Sequence, residues 1–290
     1  MNKYAISFLC CAALAACGGN TSDTGSGANA ARTIGGGGGV SPPPPEDDGD
    51  AGNGATTRDM TRVTGDVISM TYDPETDTLN VQGDPFDFAG DFTRDASSDV
   101  PGFAAYVSPA SNALVPDDAS ARRYLAFLGI DDTNGVSASV VATGERLDTE
   151  FGGTHVSRES IPDLPVNTQM THRGHYASLV TEGSTVTRTR GRTELYLDFF
   201  EDRNGDIEGF IDRIDPDTGL RSGDQIVLRI TEIDEQGNFE GSARDSRAGE
   251  GTYTGMIAGA DAAATGGTLV LTNTPDGQIE RGAFLTRRVD

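Results

Sequence analysis

The chain has few cysteines, and all three of them lie in its first seventeen residues. Cys10 and Cys11 fall inside an apolar stretch, and Cys17 follows directly after it. If that stretch is removed during export, one cysteine remains, so no intramolecular disulfide can form even in an oxidising compartment. The stability of the folded part must therefore come from burial and hydrogen bonds.

Lysine and tryptophan are almost absent as well. Lys3 is the only lysine, and there is no tryptophan, which disfavours a sugar-binding platform built on aromatic stacking. The 290-residue chain carries 45 acidic and 22 basic side chains, a net charge of −23. Such acidity argues against nucleic acid and anionic lipid as partners. It suits a cationic partner or a saline habitat, and the simplest interpretation is that it keeps the protein soluble.

No apolar run reaches the roughly 20 residues that a permanent membrane-spanning helix needs. The N-terminus instead has a short polar start with one positive charge, followed by the apolar core Tyr4–Ala16, as in a signal peptide. The motif Leu14-Ala15-Ala16-Cys17 is the lipobox of a bacterial lipoprotein signal. We predict that residues 1–16 are removed and that acyl chains on Cys17 anchor the protein. An ordinary secretory signal that happens to contain a cysteine is the alternative.

Residues 17–57 are mostly small, polar or conformationally special residues, including the glycine run Gly35–Gly39 and the prolines Pro42–Pro45. They offer too little apolar surface to offset the entropy of an ordered chain. We predict a disordered tether with a stiffer polyproline piece. Glycine rather than aspartate follows Cys17, which favours the outer membrane over the inner one and leaves the face of that membrane open.

Beyond the tether the sequence predicts an all-β protein, because short runs alternate apolar and polar residues between turns rich in Gly, Asn and Asp. We expect a β-rich handle over 58–160 and a second β domain over 161–290, with Pro162–Pro165 at the boundary. In the handle the predicted strands are Val63–Tyr72, Thr78–Gln82, Phe103–Val107, Arg123–Gly129 and Ser137–Ala142.

The second domain contains eight predicted strands joined mostly by short loops, which favours sequential antiparallel pairing. Eight is the number at which a barrel closes around an interior filled by side chains. Leu195, Leu197 and Phe199 are expected to share one face, as are Ile226, Leu228 and Ile230. The predicted strands are Met170–Thr181, Thr193–Phe200, Ile207–Ile214, Gln225–Ile233, Asn238–Arg244, Gly251–Ala258, Thr268–Thr272 and Gly282–Arg287.

The last 120 or so residues resemble the C-terminal β-barrel of the transferrin-binding protein B family, which includes haem- and haemoglobin-binding surface lipoproteins and the factor H-binding protein. The sequence departs from the family pattern at Ala260, Ala263 and Leu285. The resemblance is carried by Gly174-His175-Tyr176, Leu197-Asp198-Phe199, Ile207-Glu208-Gly209-Phe210-Ile211, Phe239-Glu240-Gly241-Ser242, Gly251-Thr252-Tyr253-Thr254-Gly255-Met256-Ile257-Ala258-Gly259, Ala262, Gly266-Gly267, Gly282-Ala283-Phe284 and Arg287.

The resemblance implies a handle packed beside one barrel, on a surface lipoprotein that captures a ligand or protein. It implies an iron-related ligand class and an outer-membrane transporter as a further partner. Transferrin binders have two lobes, so transferrin itself is not carried over. An adhesin or an envelope-structural lipoprotein without a transport role is the alternative. We predict no cofactor and no enzymatic activity, because neither a cysteine nucleophile nor a serine elbow is present.

Arg188, Arg190 and Arg192 alternate along the chain, so in an extended segment they project to one side. They form the densest positive group in an acidic protein, and we predict that they receive an anionic group such as a carboxylate. A solvated loop paired with nearby acids is the simpler interpretation. Since rigid scaffolds present functional loops, we expect contacts in the loops Thr181–Arg192 and Asp215–Asp224.

Two weaker patterns concern metals. His172 and His175 have a spacing that chelates on a helix, but on a strand their rings point to opposite faces; we expect surface histidines and no metal. Asp202, Asn204 and Asp206 alternate like the first half of a calcium loop. The glycine of that loop is misplaced and Arg213 occupies its twelfth position, so a hairpin turn explains the same residues.

Overall fold

Apolar and polar residues alternate with period two through most of the folded chain, and these segments form β-strands in the structure. A computed structural model describes residues 62–83, 88–108, 124–144, 151–201, 204–215, 218–246, 249–272 and 277–289. These residues form sixteen strands in two antiparallel sheets, with 3-10 turns at Ala96–Ser98 and Ala260–Ala262. The predicted all-β architecture is confirmed. None of the helical segments within those ranges is long and apolar enough to cross a bilayer.

The first sheet, which we call the handle, has eight strands in the order β1-β8-β7-β6-β5-β4-β3-β2. Its strands are β1 Arg62–Gly65, β2 Val67–Asp73, β3 Thr78–Gly83, β4 Phe88–Arg94, β5 Ala104–Val107, β6 Leu125–Asp131, β7 Val136–Ala142 and β8 Gly152–Arg158.

The handle differs from the prediction at both of its ends. The predicted strand Val63–Tyr72 is two strands, because the chain turns at Gly65 and then pairs at the opposite edge of the sheet. Gly65 has φ of 80°, and a Cβ there would lie 2.3 Å from the carbonyl oxygen of Gly152, so only glycine fits this turn. Strands β4 and β8 were not predicted.

The second sheet is a closed barrel of eight sequentially paired strands, in which β16 returns to pair with β9. This confirms the predicted eight-stranded antiparallel barrel. Its strands are β9 Thr168–Glu182, β10 Thr185–Phe199, β11 Asp206–Ile214, β12 Arg221–Glu232, β13 Asn238–Asp245, β14 Glu250–Ala258, β15 Ala264–Leu271 and β16 Ile279–Val289.

The barrel interior is filled by aromatic and aliphatic side chains, as expected for eight strands. Leu195, Leu197 and Phe199 share one face, as predicted. That face points inward, where the three side chains pack with Tyr253 and Phe284. Close packing of this kind leaves the barrel a solid scaffold rather than a container.

Ile230 does not share the inward face of Ile226 and Leu228, so this prediction is wrong. The pairing of β11 with β12 shifts register between Ile207, opposite Thr231, and Gly209, opposite Leu228. An additional residue of β12 is thereby accommodated in a bulge, which reverses the alternation and turns Ile230 outward.

The handle packs on the outer wall of the barrel. A shared core joins Phe127 and Val140 of the handle to Ala177, Leu179 and Met256 of the barrel. Along β6 alternate residues enter this core, while Ala126 and Leu128 enter a second core on the other face of the handle. Strand β6 is therefore buried on both faces.

Polar contacts fix the orientation of the two sheets. The Arg287 guanidinium donates two hydrogen bonds to the Asp131 carboxylate, at 2.8 and 2.9 Å, the bidentate geometry that best holds two groups in register. Arg158 donates to the carbonyl oxygen of Ile257 at 2.8 Å and to the side chain of Asn238 at 3.0 Å.

Candidate functional site

The three alternating arginines lie on β10 and not in a loop. The predicted loop Thr181–Arg192 is wrong: residues up to Glu182 belong to β9, and β10 begins at Thr185. The arginines occupy outward positions on β10. They alternate along the strand with residues on its inward face, of which Gly191, Thr193 and Leu195 are buried. The other predicted contact loop, Asp215–Asp224, includes 216–217, which lie outside the described residues, and its last four residues belong to β12.

Arg188 binds the handle. Its guanidinium donates to the Ser98 hydroxyl at 2.9 Å and to the Asp95 carboxylate at 3.2 Å. Hydrogen bonds from Ser98 and Ser97, together with the charge of Arg188, hold the pKa of Asp95 below its usual range. Arg188 therefore ties the barrel to the 3-10 turn of the handle.

Arg190 and Arg192 are placed differently along the same strand. Arg190 is half-buried, whereas Arg192 is exposed and lies opposite His175 of β9. Burial and the positive charge of Arg192 lower the pKa of His175. The structure therefore places the three arginines on one side of a strand, as predicted, but in three different environments, and their role in ligand binding stays a prediction.

A buried charge cluster lies inside the barrel, at the same end of the barrel as the three arginines of β10. The Glu280 carboxylate accepts hydrogen bonds from the Tyr176 hydroxyl at 2.9 Å, from the Ser178 hydroxyl at 2.8 Å and from the Arg213 guanidinium. Arg213 also reaches the Asp245 carboxylate at 3.1 Å. The Glu280 side chain is 5% exposed and that of Arg213 is 13% exposed.

Electrostatics hold Arg213 in its charged form and the Tyr176 phenol in its neutral form. Burial alone would lower the pKa of Arg213, but the charge of Glu280 and hydrogen bonds to Glu280 and Asp245 outweigh it and raise that pKa. Burial and the adjacent Glu280 charge raise the pKa of the Tyr176 phenol. Arg213 and Glu280 therefore both have charged partners in the barrel interior, so removing one partner would leave a buried charge uncompensated.

The sequence carries a signal for this cluster in the register of three strands. Arg213, Asp245 and Glu280 continue the inward-facing register of Ile211, Ala243 and Gly282 in their respective strands. A charged residue at an inward position near a strand end predicts a buried partner of opposite sign. Which partner it meets depends on the closure of the barrel.

The histidines do not form a metal site. His172 and His175 point to opposite faces of β9, as predicted, but His172 is fully buried inside the barrel, so the expectation of surface histidines is wrong for it. Its Nδ1 lies 3.0 Å from the Thr265 hydroxyl, and burial lowers its pKa to about 4. His155 is likewise buried, on β8. Across the described ranges, no group of three or more His, Cys, Asp or Glu side chains is placed to hold a metal ion.

The calcium-like pattern falls partly outside the described residues, which exclude Asp202. Asn204 precedes β11 and Asp206 opens that strand, directly opposite Asp198 of β10. The pattern therefore spans a β10–β11 connection, as a hairpin would. Cys17, the predicted lipidation site, also lies outside the described residues.

An open groove of about 530 Å³ runs over the outer wall of the barrel at the end opposite the charge cluster. We call it the outer-wall groove; it is lined by Gln169, Met170, Thr171, Tyr196, Leu197, Asp198, Asp206, Ile207, Glu208, Ile230, Arg288 and Val289. Tyr196 is 41% exposed and Ile230 is 63% exposed. The prediction missed this groove because it depends on the bulge in β12.

Polar contacts hold the aromatic side of the outer-wall groove in place. The Tyr196 hydroxyl donates to the Glu194 carboxylate at 2.7 Å, and that carboxylate also accepts from Arg173 at 2.8 Å. The ring of Tyr196 lies 6.3 Å from that of Phe210, tilted by 51°. Tyr196 is therefore an exposed aromatic ring with a fixed orientation, suited to contact with another molecule.

Comparison with known proteins gives structural matches only. No protein-family model matches the chain, and no curated protein matches it. Of this chain, 80% aligns with 46% of transferrin-binding protein B from Haemophilus parasuis, at 12% identity and a TM-score of 0.46. A 79% portion aligns with 44% of an isotype 1 transferrin-binding protein B from serogroup B Neisseria meningitidis, at 13% identity and a TM-score of 0.43. A third structure, of a surface lipoprotein, aligns over 78% of this chain and 98% of its own length, at 14% identity and a TM-score of 0.41. The chain thus spans less than half the length of the first two proteins.

Proposed function

We propose that this protein is a lipid-anchored binding protein of the outer membrane, exposed at the cell surface, which captures a partner on the exterior of its two-sheet head. In this proposal residues 1–16 are removed, Cys17 is lipidated, and residues 17–57 form the tether. The lipobox Leu14-Ala15-Ala16-Cys17 supports the anchor.

One structural observation carries the choice of partner. The barrel interior is packed with side chains such as Phe199, Tyr253 and Phe284, so a haem-sized molecule would have to displace the core to enter it. Displacing a close-packed core is costly. A partner must therefore contact the outside, where the outer-wall groove and the loops are accessible. This geometry favours a macromolecular partner over a small ligand held inside the barrel.

We extend the proposal to iron supply: the partner is an iron-carrying protein, and the complex delivers iron to an outer-membrane transporter. The support for this extension is the motif resemblance of the last 120 or so residues. The role proposed here is binding, without a cofactor or an enzymatic reaction.

Anchoring is tested with the full chain in bacterial cells. Cells expressing the chain or its Cys17→Ser variant are fed a palmitate analogue, and whole cells are then treated with protease. We expect label on the parent chain only, and protease access to its head on intact cells. A labelled chain that protease reaches only after the outer membrane is opened would contradict surface exposure.

Partner capture is tested with the lipidated chain solubilised in detergent. Binding of haem, ferric siderophores, transferrin and haemoglobin is measured by titration, with Arg190→Gln and Arg192→Gln variants; Arg188 is kept because it holds the handle. Saturable binding of an iron-carrying protein supports the proposal. Retention of an envelope or host protein with no affinity for any iron source would overturn the iron role and favour the adhesin or structural lipoprotein.

A further inference from the structure

Exposed apolar side chains concentrate on the outer wall of β10–β12. Tyr196, Val227 and Ile230 are all among the large hydrophobic residues that remain exposed, and Phe210 packs beside Tyr196 in the same wall. Scattered exposed hydrophobic residues need no explanation, but a contiguous patch beside a groove marks an interaction surface.

The bulge in β12 is what adds Ile230 to this patch. In a regular strand Ile230 would follow Ile226 and Leu228 into the core, where it would contribute to stability. The register shift instead exposes 63% of it to solvent at the groove. Bulges recur where a side chain is re-aimed at a binding site, so the exposure of Ile230 is consistent with contact to another molecule.

Carboxylates form a row along the lower border of the outer-wall groove. In the strand register, Asp206 of β11 lies directly opposite Asp198 of β10 and directly opposite Glu232 of β12. Three acids therefore lie side by side across the three strands. Glu208 lies one step above, opposite Tyr196. Asp198 also accepts a hydrogen bond from the Gln169 amide at 2.9 Å, and the groove lining includes one cation, Arg288. The acids still outnumber that cation along this border, so the groove is complementary to a basic group.

Charge also decides among the occupants that an apolar groove could have. A second copy of the chain would bring the same acidic row, and the predicted tether carries five acids against one arginine, Arg32. Both would be repelled. We propose that the outer-wall groove is the docking site for a basic, extended segment of a partner protein, whose cations meet the row of Asp198, Asp206 and Glu232 while its apolar side chains cover Tyr196 and Ile230. The inference rests on the proposed function and gives its partner a chemical class and a place.

The test uses the full lipidated chain in detergent and a fluorescein-labelled synthetic peptide that alternates arginine with valine. A second peptide alternates arginine with serine. Binding is followed by fluorescence anisotropy at about 0.05 M and about 0.5 M NaCl, where screening of exposed charges differs strongly. Hydrogen exchange of the Arg229 and Ile230 amides, with and without peptide, reports contact at the bulge.

Matched variants locate the binding. Ile230→Ser is compared with Ile68→Ser, because Ile68 is an equally exposed strand isoleucine in the handle, at 62% against 63%. Glu208→Gln is compared with Glu75→Gln in a handle hairpin. We expect Ile230→Ser to weaken binding of the arginine–valine peptide roughly tenfold and Glu208→Gln about threefold, with both controls unchanged. High salt should weaken binding, and the amides at the bulge should become protected.

The inference is overturned if the serine peptide binds as tightly as the valine peptide, or if Ile230→Ser and Ile68→Ser bind alike, because the attraction is then diffuse. Its failure is separable from that of the proposed function. A chain that is displayed on cells and holds its partner equally well with Ile230→Ser retains the function and loses only this site. A chain that is not surface-exposed loses the function whatever the peptide does.

Discussion

The buried charge cluster of the barrel makes the sharpest prediction about stability. Glu280→Gln keeps the size of the side chain and an acceptor for the hydroxyls of Tyr176 and Ser178, at 2.9 and 2.8 Å in the parent. It removes the charge that faces Arg213. Asp245, at 3.1 Å, still compensates Arg213 in part.

The magnitude follows from what each change leaves behind. Breaking a buried ion pair by removing one partner costs about 3–5 kcal/mol, and the remaining Asp245 places Glu280→Gln near the lower bound, at about 3 kcal/mol. Arg213→Gln should cost more, because it leaves two buried carboxylates, Asp245 and Glu280, without their shared cation. Glu240→Gln is the control: it changes an exposed pair with Arg62 at 3.5 Å, and such pairs contribute about 1 kcal/mol or less.

Stability is measured by urea unfolding followed by circular dichroism or tyrosine fluorescence, since the chain has no tryptophan. The expected order of destabilisation is Arg213→Gln, then Glu280→Gln, then Glu240→Gln. For a protein of this size, about 3 kcal/mol corresponds to a fall in Tm of roughly 6–12 °C. A Glu280→Gln loss no greater than that of Glu240→Gln would refute the reasoning, because it would mean that the interior charges are not coupled.

Three further predictions concern a buried histidine of the barrel and two positions where the barrel and the handle meet. His172 is buried and neutral, with its pKa lowered to about 4 by burial. As the pH falls from about 6.5 towards 4, only the unfolded chain gains the proton, so the free energy of unfolding should fall by about 2 kcal/mol between pH 7 and pH 5. The His172→Gln variant should show a flatter dependence of stability on pH in urea titrations. Gly129→Ala would place a Cβ 2.7 Å from side-chain atoms of both Leu285 and Phe103 and should cost about 1–3 kcal/mol, partly recovered by adding Leu285→Ala; no loss in thermal melts would contradict this packing. Arg188→Ala should cost about 1 kcal/mol or less but speed hydrogen exchange in the 3-10 turn that it binds, and unchanged exchange there would contradict its bridging role.

The barrel could be predicted from the sequence because its strands alternate apolar and polar residues with few interruptions. Strand β8 could not, because it begins with Gly152 and Gly153, which in sequence favour a turn. In the structure these glycines let other parts of the chain approach: a Cβ at Gly153 would lie 2.4 Å from the carbonyl oxygen of Thr64. The sequence alone does not distinguish a glycine pair that permits close approach of two strands from a glycine pair that forms a turn.

The candidate site shows a related limit. Alternation correctly places Arg188, Arg190 and Arg192 on one side of a strand, but it carries no information about which of them meets the handle. Likewise the pattern of β12 predicts Ile230 inside, and only its pairing with β11 reveals the bulge. Properties set by the partner strand, rather than by the strand itself, are absent from local periodicity.

The packing of the handle explains why the functional surface should lie where we propose. The shared core seats the handle against β9, β14 and β16 through small or flexible side chains such as Ala177, Ala283 and Met256. The outer wall of β10–β12 instead carries exposed Tyr196 and Ile230. Leaving these side chains in water lowers the stability of the free protein. A bound segment would bury them with its apolar side chains, and its cations would be attracted to the acids along the border of the outer-wall groove.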